Sequence, residues 1–169
     1  MKSWNELEKS SFFDANARER AVGMCDKGTF TELLNPLDRF ESPHLPVLGT
    51  AVEFDDGTVT GVGLVGKHPL FVVSMEGKFI GGAIGEVNGA KMVNTLRLAL
   101  KAANDIKAAH PDEYDVRRPI VAISFETGGV RLHEANAGLL AHAEVMDAIQ
   151  DCRRILPIVA CLLYTSPSP

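Results

Sequence analysis

Two glycine-rich turns carry the residues of this chain whose types and spacing could do chemistry. One contains Gly81 and Gly82, and the other is Thr127-Gly128-Gly129. Each turn follows an apolar run that predicts a buried strand, and each precedes an amphipathic helix. Glycines there let backbone N–H groups point into a cleft at the positive end of a helix, where paired donors stabilise an oxyanion or an enolate. Alternatively, the glycines only permit tight strand-to-helix connections.

A second glycine pattern, Gly61, Gly63 and Gly66, has the spacing of a dinucleotide-binding fingerprint. That fingerprint needs a strand before it and a helix after it, so that a pyrophosphate can sit on the helix N-terminus. Here the glycines fall within a predicted hairpin strand, and a second strand follows them. We therefore reject a nucleotide site and expect these glycines to mark a bulge or close packing.

The histidines and cysteines do not predict a metal site or a disulfide scaffold. His133 and His142 lie nine positions apart on one predicted helix, which puts them on nearly opposite sides of it. The three cysteines, Cys25, Cys152 and Cys161, are odd in number and widely separated. Free thiols in this arrangement suit a reducing cytosol, so we expect a cytoplasmic protein.

Composition narrows the class of protein further. The chain has 169 residues, a hydrophobic fraction of 46% and a net charge of -5, which suit one globular domain with a core. Its basic residues are scattered rather than clustered, so we expect no nucleic-acid partner. We also expect no membrane span, because no apolar run reaches about 18 residues.

The apolar periodicity predicts an α/β fold in which helices cross over between strands. An Asp-Gly turn at 55–57 predicts a hairpin between the first two strands. The predicted elements are, in order, a helix over 15–26, strands over 50–54, 58–65 and 69–75, a helix over 86–110, a strand over 119–125, a helix over 133–154 and a strand from 157 to 160.

Three segments are predicted along the chain. Residues 1–14 form a lead segment, and residues 15–160 form the folded domain. From Cys161 the composition changes abruptly and resembles a translated sequencing adapter, so we expect residues 161–169 to be foreign and the natural protein to be longer.

Four ordered motifs resemble those of carboxyltransferase subunits. Residues 79–91, FIGGAIGEVNGAK, resemble the FxGGSxGExxGxK segment of that family, and residues 127–134, TGGVRLHE, resemble its SGGARxQE segment. Upstream, ARER at 17–20 followed by DKGTFTEL at 26–33 resembles the ARERIxxLxDxGSFxEL opening. DGTVTG at 56–61 fits the hairpin of the family. The resemblance covers roughly residues 12 to 160.

Where the chain departs from the general family pattern, its residues resemble those of the beta subunits of biotin-independent malonate decarboxylases. Thr127 and Val130 replace the usual Ser and Ala, and the chain has neither a zinc ribbon nor a biotin-attachment motif. The resemblance implies a crotonase-like superhelix of ββα units, here incomplete at its C-terminus. It implies decarboxylation of a malonyl thioester on an acyl carrier protein, together with a gamma subunit. The alpha subunit, an acyl carrier protein transferase, would load the carrier.

The same resemblance assigns cofactors and site residues. The thioester would arrive on the phosphoribosyl-dephospho-CoA arm of the carrier, with no biotin and no cofactor bound directly to this chain. Gly128 and Gly129 would form the oxyanion hole, and Gly81 and Gly82 would shape the substrate pocket. Arg131 would pair with a substrate carboxylate or hold its loop through Glu86 or Glu134. His133 and Glu134 lie nearby in sequence, but no proton donor is assigned.

Two other classes of function stay open. One is a carboxyltransferase subunit of a biotin-dependent carboxylase or decarboxylase. The other is a non-catalytic subunit that only scaffolds its gamma partner. A gene for a biotin carrier beside this one would favour the first, and loss of the glycine-turn geometry would favour the second.

Overall fold

The computed structural model describes residues 11–38, 40–44 and 57–165, and a five-stranded sheet forms its centre. The strands lie in the order β1-β2-β3-β4-β5. Their bounds are Thr31–Leu33 for β1, Thr58–Val65 for β2, His68–Met75 for β3, Ile120–Thr127 for β4 and Ile158–Thr165 for β5. The helices are α1, Ala17–Gly23; α2, Glu86–Ala109; α3, Tyr114–Arg117; and α4, Asn136–Cys152.

The sheet changes direction once along its width. β1, β2 and β3 pair antiparallel, whereas β3, β4 and β5 pair parallel. Each parallel step needs a long connection, which α2 supplies between β3 and β4, and α4 supplies between β4 and β5. Both glycine turns therefore lie at the carboxyl ends of neighbouring parallel strands. The predicted α/β fold with crossover helices is confirmed.

The two faces of the sheet are covered by different helices. On one face, α2 and α4 pack over Val73 and Ile123 within the larger core cluster. On the other face, Ala17 and Ala21 of α1 pack over Val72 and its neighbours. Successive residues of a strand point to opposite faces. The central strands thus have both faces covered, which explains their unbroken apolar runs.

The glycines of the rejected nucleotide pattern sit where the chain packs closely. A Cβ at Gly61 would overlap the ring of Phe30, and one at Gly63 would lie 2.5 Å from Sγ of Cys25. Gly66 has a φ of +59° in the turn between β2 and β3. The prediction of close packing in a strand is confirmed for Gly61 and Gly63, whereas Gly66 lies in the turn and a Cβ there would meet no atom within 4 Å.

Several element boundaries differ from those expected. The strand predicted over 50–54 lies outside the described residues, and β1 was not anticipated because it is short and half polar. α4 begins at Asn136 rather than 133, because a 3₁₀ turn over Leu132–Glu134 precedes it. β5 continues past Ala160 to Thr165, since strand pairing uses backbone atoms and tolerates many side chains. The segment boundaries at 14/15 and 160/161 stay predictions.

The described residues were also searched for metal-binding groups and for membrane-spanning helices. Among them, no group of three or more His, Cys, Asp or Glu side chains could hold a metal ion. None of the described helices combines the length and the apolar character needed to cross a lipid bilayer.

Candidate functional site

The two glycine turns are joined by a short stretch of parallel backbone pairing. Gly128 N–H donates to the Gly81 carbonyl at 2.8 Å. Ile84 N–H donates to the Gly129 carbonyl at 2.8 Å, and Arg131 N–H donates to the Ile84 carbonyl at the same distance. The two turns therefore meet near the start of their helices and behave as one backbone unit.

The first turn is a left-handed run of three residues. Ile80, Gly81 and Gly82 have φ values of +48°, +63° and +67°. A Cβ at Gly82 would overlap the carbonyl oxygen of Glu126, which belongs to β4. At Gly81, by contrast, a Cβ would meet no atom within 4 Å. Gly82 is thus required for space, whereas Gly81 is favoured only by its backbone conformation.

The second turn has an open side at Gly129. This residue has a φ of +113°, and a Cβ there would meet no atom within 4 Å. Gly129 N–H donates to the hydroxyl oxygen of Thr127 at 3.1 Å. Because this acceptor is a neutral hydroxyl, a charged ligand oxygen would bind the N–H more strongly and could replace it. Gly128 N–H is already bonded to a backbone carbonyl, so Gly129 is the better placed of the two predicted donors.

Arg131 lies inside the molecule and holds both turns. Its Nη1 pairs with Oε1 of Glu134 at 2.9 Å, with both side chains fully buried. Its Nη2 donates to the Ala83 carbonyl at 3.1 Å, and the guanidinium lies 5.5 Å from the ring centroid of Phe79. These contacts support the holding role and the pairing with Glu134. The predicted contact of Arg131 with substrate stays a prediction.

Glu134 extends this link to the first turn of α2. Its second carboxylate oxygen, Oε2, accepts the N–H of Glu86 at 2.5 Å. The negative charge also lies at the positive end of the α2 dipole, which stabilises both. The Glu86 carboxylate instead lies 3.4 Å from Nε2 of His44. A Cβ at Gly85 would lie 2.5 Å from Oε2 of Glu134, so glycine leaves room for this contact.

The two residues considered near the proton-transfer step are placed very differently. Glu134 is buried and accepts a donor on each carboxylate oxygen. Both oxygens of this carboxylate therefore already have hydrogen-bond partners within the two turns. His133 is exposed. The proton donor stays unassigned.

Two residues near the site were not anticipated from the sequence. Arg20 is buried beneath the sheet and bonded to Glu126, which directly precedes the second turn. Asn88 accepts the N–H of Gly85 at 2.6 Å and so caps α2. A signal for Arg20 was present, because its position falls on the apolar stripe of Ala17, Ala21 and Met24.

The thiols with shifted pKa values lie away from the glycine turns. Burial, with a smaller contribution from the charge of Asp151, raises the pKa of Cys152 to about 11. Its Sγ donates to the Leu96 carbonyl at 3.4 Å. Burial and the Asp26 carboxylate also raise the pKa of Cys25. Both thiols therefore stay protonated near neutral pH, which disfavours a nucleophilic role.

Comparison with known proteins identifies related sequences. No family model matches the chain. A Malonomonas rubra protein, named malonyl-S-ACP:biotin-protein carboxyltransferase, is 60% identical over 162 residues. That alignment covers 96% of this chain and 51% of the relative, so the chain spans about half the length of the curated protein it matches.

Solved structures agree with that result. A Pseudomonas malonate decarboxylase hetero-tetramer in complex with malonate matches with a TM-score of 0.79 and 41% identity, over 92% of this chain and 53% of that one. Transcarboxylase 12S matches with a TM-score of 0.72 and 22% identity, over 93% of this chain and 27% of that one, and shows the fold alone. The chain is therefore similar in sequence to a carboxyltransferase and has the crotonase-like carboxyltransferase fold that its motifs predicted.

Proposed function

We propose that this protein is the carboxyltransferase-type beta subunit of a malonate decarboxylase and acts on a malonyl thioester carried by an acyl carrier protein. The observation that carries the proposal is the joined pair of glycine turns, with open space beside Gly129, whose N–H donates to the Thr127 hydroxyl. The substrate class follows from the 60% identity to the Malonomonas rubra relative, whose name specifies malonyl-S-ACP.

The site would act on the charge that develops during carbon–carbon cleavage. The bond between the malonyl carboxylate and the α-carbon breaks, CO2 leaves, and the electron pair moves onto the thioester oxygen as an enolate. An N–H donor fixed at that oxygen stabilises the transition state by about 3–4 kcal/mol. A proton then reaches the α-carbon and gives the acetyl thioester. Gly129, with Gly128 beside it, would face the oxygen, and Gly81 and Gly82 would shape the pocket.

A second candidate function differs in where the carboxyl group goes. Instead of leaving as CO2, it would form a bond to a biotin ring nitrogen, and the proton from that nitrogen would end on the acetyl carbon. The biotin protein in the name of the Malonomonas rubra relative favours this candidate. Both reactions pass through the same enolate, so the glycine turns serve either one.

The partners proposed here follow from the same relatives. The Pseudomonas malonate decarboxylase is a hetero-tetramer, which supports association with other subunits. We expect a gamma subunit beside this chain, an alpha subunit that loads the carrier, and a carrier arm of phosphoribosyl-dephospho-CoA. We expect a cytoplasmic assembly, in keeping with the free cysteines of the described part of the chain.

One reconstituted reaction tests the proposal and separates its two forms. The full-length protein, its gamma partner and malonyl-loaded carrier are mixed, and acetyl carrier and CO2 are measured by mass spectrometry. Acetyl carrier formed with free CO2, and unaffected by avidin, supports decarboxylation. Acetyl carrier formed only when a biotin protein is added, and blocked by avidin, supports transfer to biotin. If acetyl carrier does not form under either condition, the proposal is wrong.

The donor role of Gly129 needs a substitution that respects its backbone conformation. Proline lacks the N–H but cannot adopt a φ of +113°, so it would disrupt the turn, whereas alanine would keep the N–H and strain the backbone. Replacing Gly129 with glycolic acid converts the amide to an ester and keeps the flexibility of glycine. We expect kcat to fall about 100-fold with KM unchanged. The same ester at Gly28, whose φ is +80°, is the control. A wild-type kcat for the Gly129 ester would contradict the donor role.

A further inference from the structure

A buried guanidinium outside the glycine turns bonds to both strands that lead into them. Arg20, on α1, is 1% exposed. Its Nη2 donates to the Met75 carbonyl at 2.6 Å and to Oε2 of Glu126 at 2.5 Å. Met75 ends β3, and Glu126 is the last residue but one of β4. One side chain therefore fixes the carboxyl ends of the two strands relative to each other.

Glu126 has little freedom to move without moving the turns. Its carbonyl oxygen occupies the space that a Cβ at Gly82 would take, and its Oε1 lies 2.7 Å from where a Cβ at Gly77 would be. The pairing of β4 with β5 shifts register between Phe125 and Glu126, so the regular ladder is interrupted there. The bond to Arg20 thus holds Glu126 at a point where the sheet is irregular.

A second contact from α1 reaches the approach to the first turn. The N–H of Ala17 donates to Oε2 of Glu76 at 3.0 Å, and Glu76 directly follows β3. Glu76 N–H in turn donates to the Gly57 carbonyl at 2.8 Å. The buried face of α1 therefore contacts the chain just ahead of each glycine turn.

We propose that Arg20 is a positioning residue, which sets the spacing of the two glycine turns and so aims the Gly129 N–H at the developing enolate oxygen. This inference rests on the proposed function. Stability alone explains the ion pair poorly, because the cost of burying the Arg20 charge offsets much of its attraction to the partly exposed Glu126 carboxylate, and apolar replacements of such pairs are often neutral. The geometric role explains why one guanidinium has partners on both strands.

The test compares two arginines of the same helix in the full-length protein with its gamma partner and malonyl-loaded carrier. Arg20→Met removes the buried contact, whereas Arg18→Met removes an exposed ion pair with Glu32 at 2.9 Å. With rates normalised to the amount of folded enzyme, we expect Arg20→Met to lower kcat about 100-fold with KM unchanged. A misplaced donor stabilises the transition state less but leaves substrate binding the same. Arg18→Met should keep both constants.

Two further variants keep the idea testable if Arg20→Met folds poorly. Glu126→Gln keeps an acceptor for Nη2 and should retain most of kcat. Arg20→Ala leaves a cavity, and millimolar guanidinium should raise its kcat, which a loss of folding alone would not allow. Wild-type kcat in folded Arg20→Met, or an Arg20→Ala variant that loses kcat and is not rescued, would overturn the positioning role. If wild-type enzyme also forms no acetyl carrier, it is the proposed function that fails.

Discussion

The two glycine turns perform similar connections but use glycine for different reasons. In the first turn, Gly82 is packed against the backbone of β4, and a side chain there would overlap the Glu126 carbonyl. In the second turn, Gly129 has open space around the position of its missing side chain. The first turn is thus closed at Gly82, whereas the second has open space at Gly129.

This difference shows which turn can meet a ligand. A reactive N–H should be only weakly bonded to another acceptor, and the Gly129 N–H donates to the neutral Thr127 hydroxyl at 3.1 Å. The first turn instead contributes the carbonyl of Gly81, which accepts the N–H of Gly128. The motifs therefore contain both tightly packed and open glycines, which a sequence pattern alone does not separate.

The largest effect that tests this comparison is expected for Gly82→Ala. The new methyl group would overlap backbone rather than a flexible side chain, and the residue would keep a φ of +67°. Overpacking and left-handed strain together predict a loss of about 4 kcal/mol in the free energy of unfolding. Urea unfolding measures it. Gly81→Ala is the control, with a similar φ and open space, and should lose only about 1–2 kcal/mol. Equal losses would show that the first turn is not closed.

An effect of similar size is expected when the Arg131–Glu134 ion pair that joins the turns is broken. Arg131→Met leaves the Glu134 carboxylate buried without its ion-pair partner. We expect a loss of about 3–5 kcal/mol in the free energy of unfolding. The double variant Arg131→Met/Glu134→Gln should regain much of this, since a neutral amide costs less to bury. If the double variant is no more stable than the single one, the pair does not join the turns as the geometry indicates.

Features that depend on residues close together in the sequence could be predicted from it, whereas those that depend on distant residues could not. The apolar runs of β3 and β4 and the stripe of α2 are local patterns, and they predicted those elements to within a few residues. The Arg131–Glu134 pair was also accessible, because its members are three residues apart. The contact between Arg20 and Glu126 spans 106 positions and depends on how α1 packs beneath the sheet, which no local pattern specifies.

The second turn should tolerate a side chain better than the first. Gly129→Ala keeps its N–H and meets no atom, so only the φ of +113° is unfavourable. We expect a loss of about 1–2 kcal/mol in the free energy of unfolding, similar to Gly81→Ala. Thermal unfolding of the two variants side by side checks this. A Gly129→Ala variant as unstable as Gly82→Ala would mean that the second turn is also closed.

The smallest expected change in stability concerns a non-glycine residue that each turn, or the chain just after it, holds at positive φ. In the first turn this is Ile80, with a φ of +48°, and after the second it is Ala135, with φ +47° and ψ -124°. Ala135 is exposed and has only a methyl group, so glycine there would relieve strain with little loss of packing. Glycine would relieve backbone strain of about 1–3 kcal/mol and add an entropy cost of about 0.5–1 kcal/mol. We therefore expect Ala135→Gly to raise the free energy of unfolding by about 1 kcal/mol.

Ala143→Gly provides the matched control for that gain. Ala143 is also exposed but lies inside α4, where glycine costs about 1 kcal/mol relative to alanine. The two substitutions remove the same methyl group, so their opposite signs in urea unfolding would isolate the backbone conformation as the cause. If Ala135→Gly lowers stability as much as Ala143→Gly does, Ala135 is not strained. The second turn would then meet α4 through an ordinary connection, and only the first turn would hold a residue against its backbone preference.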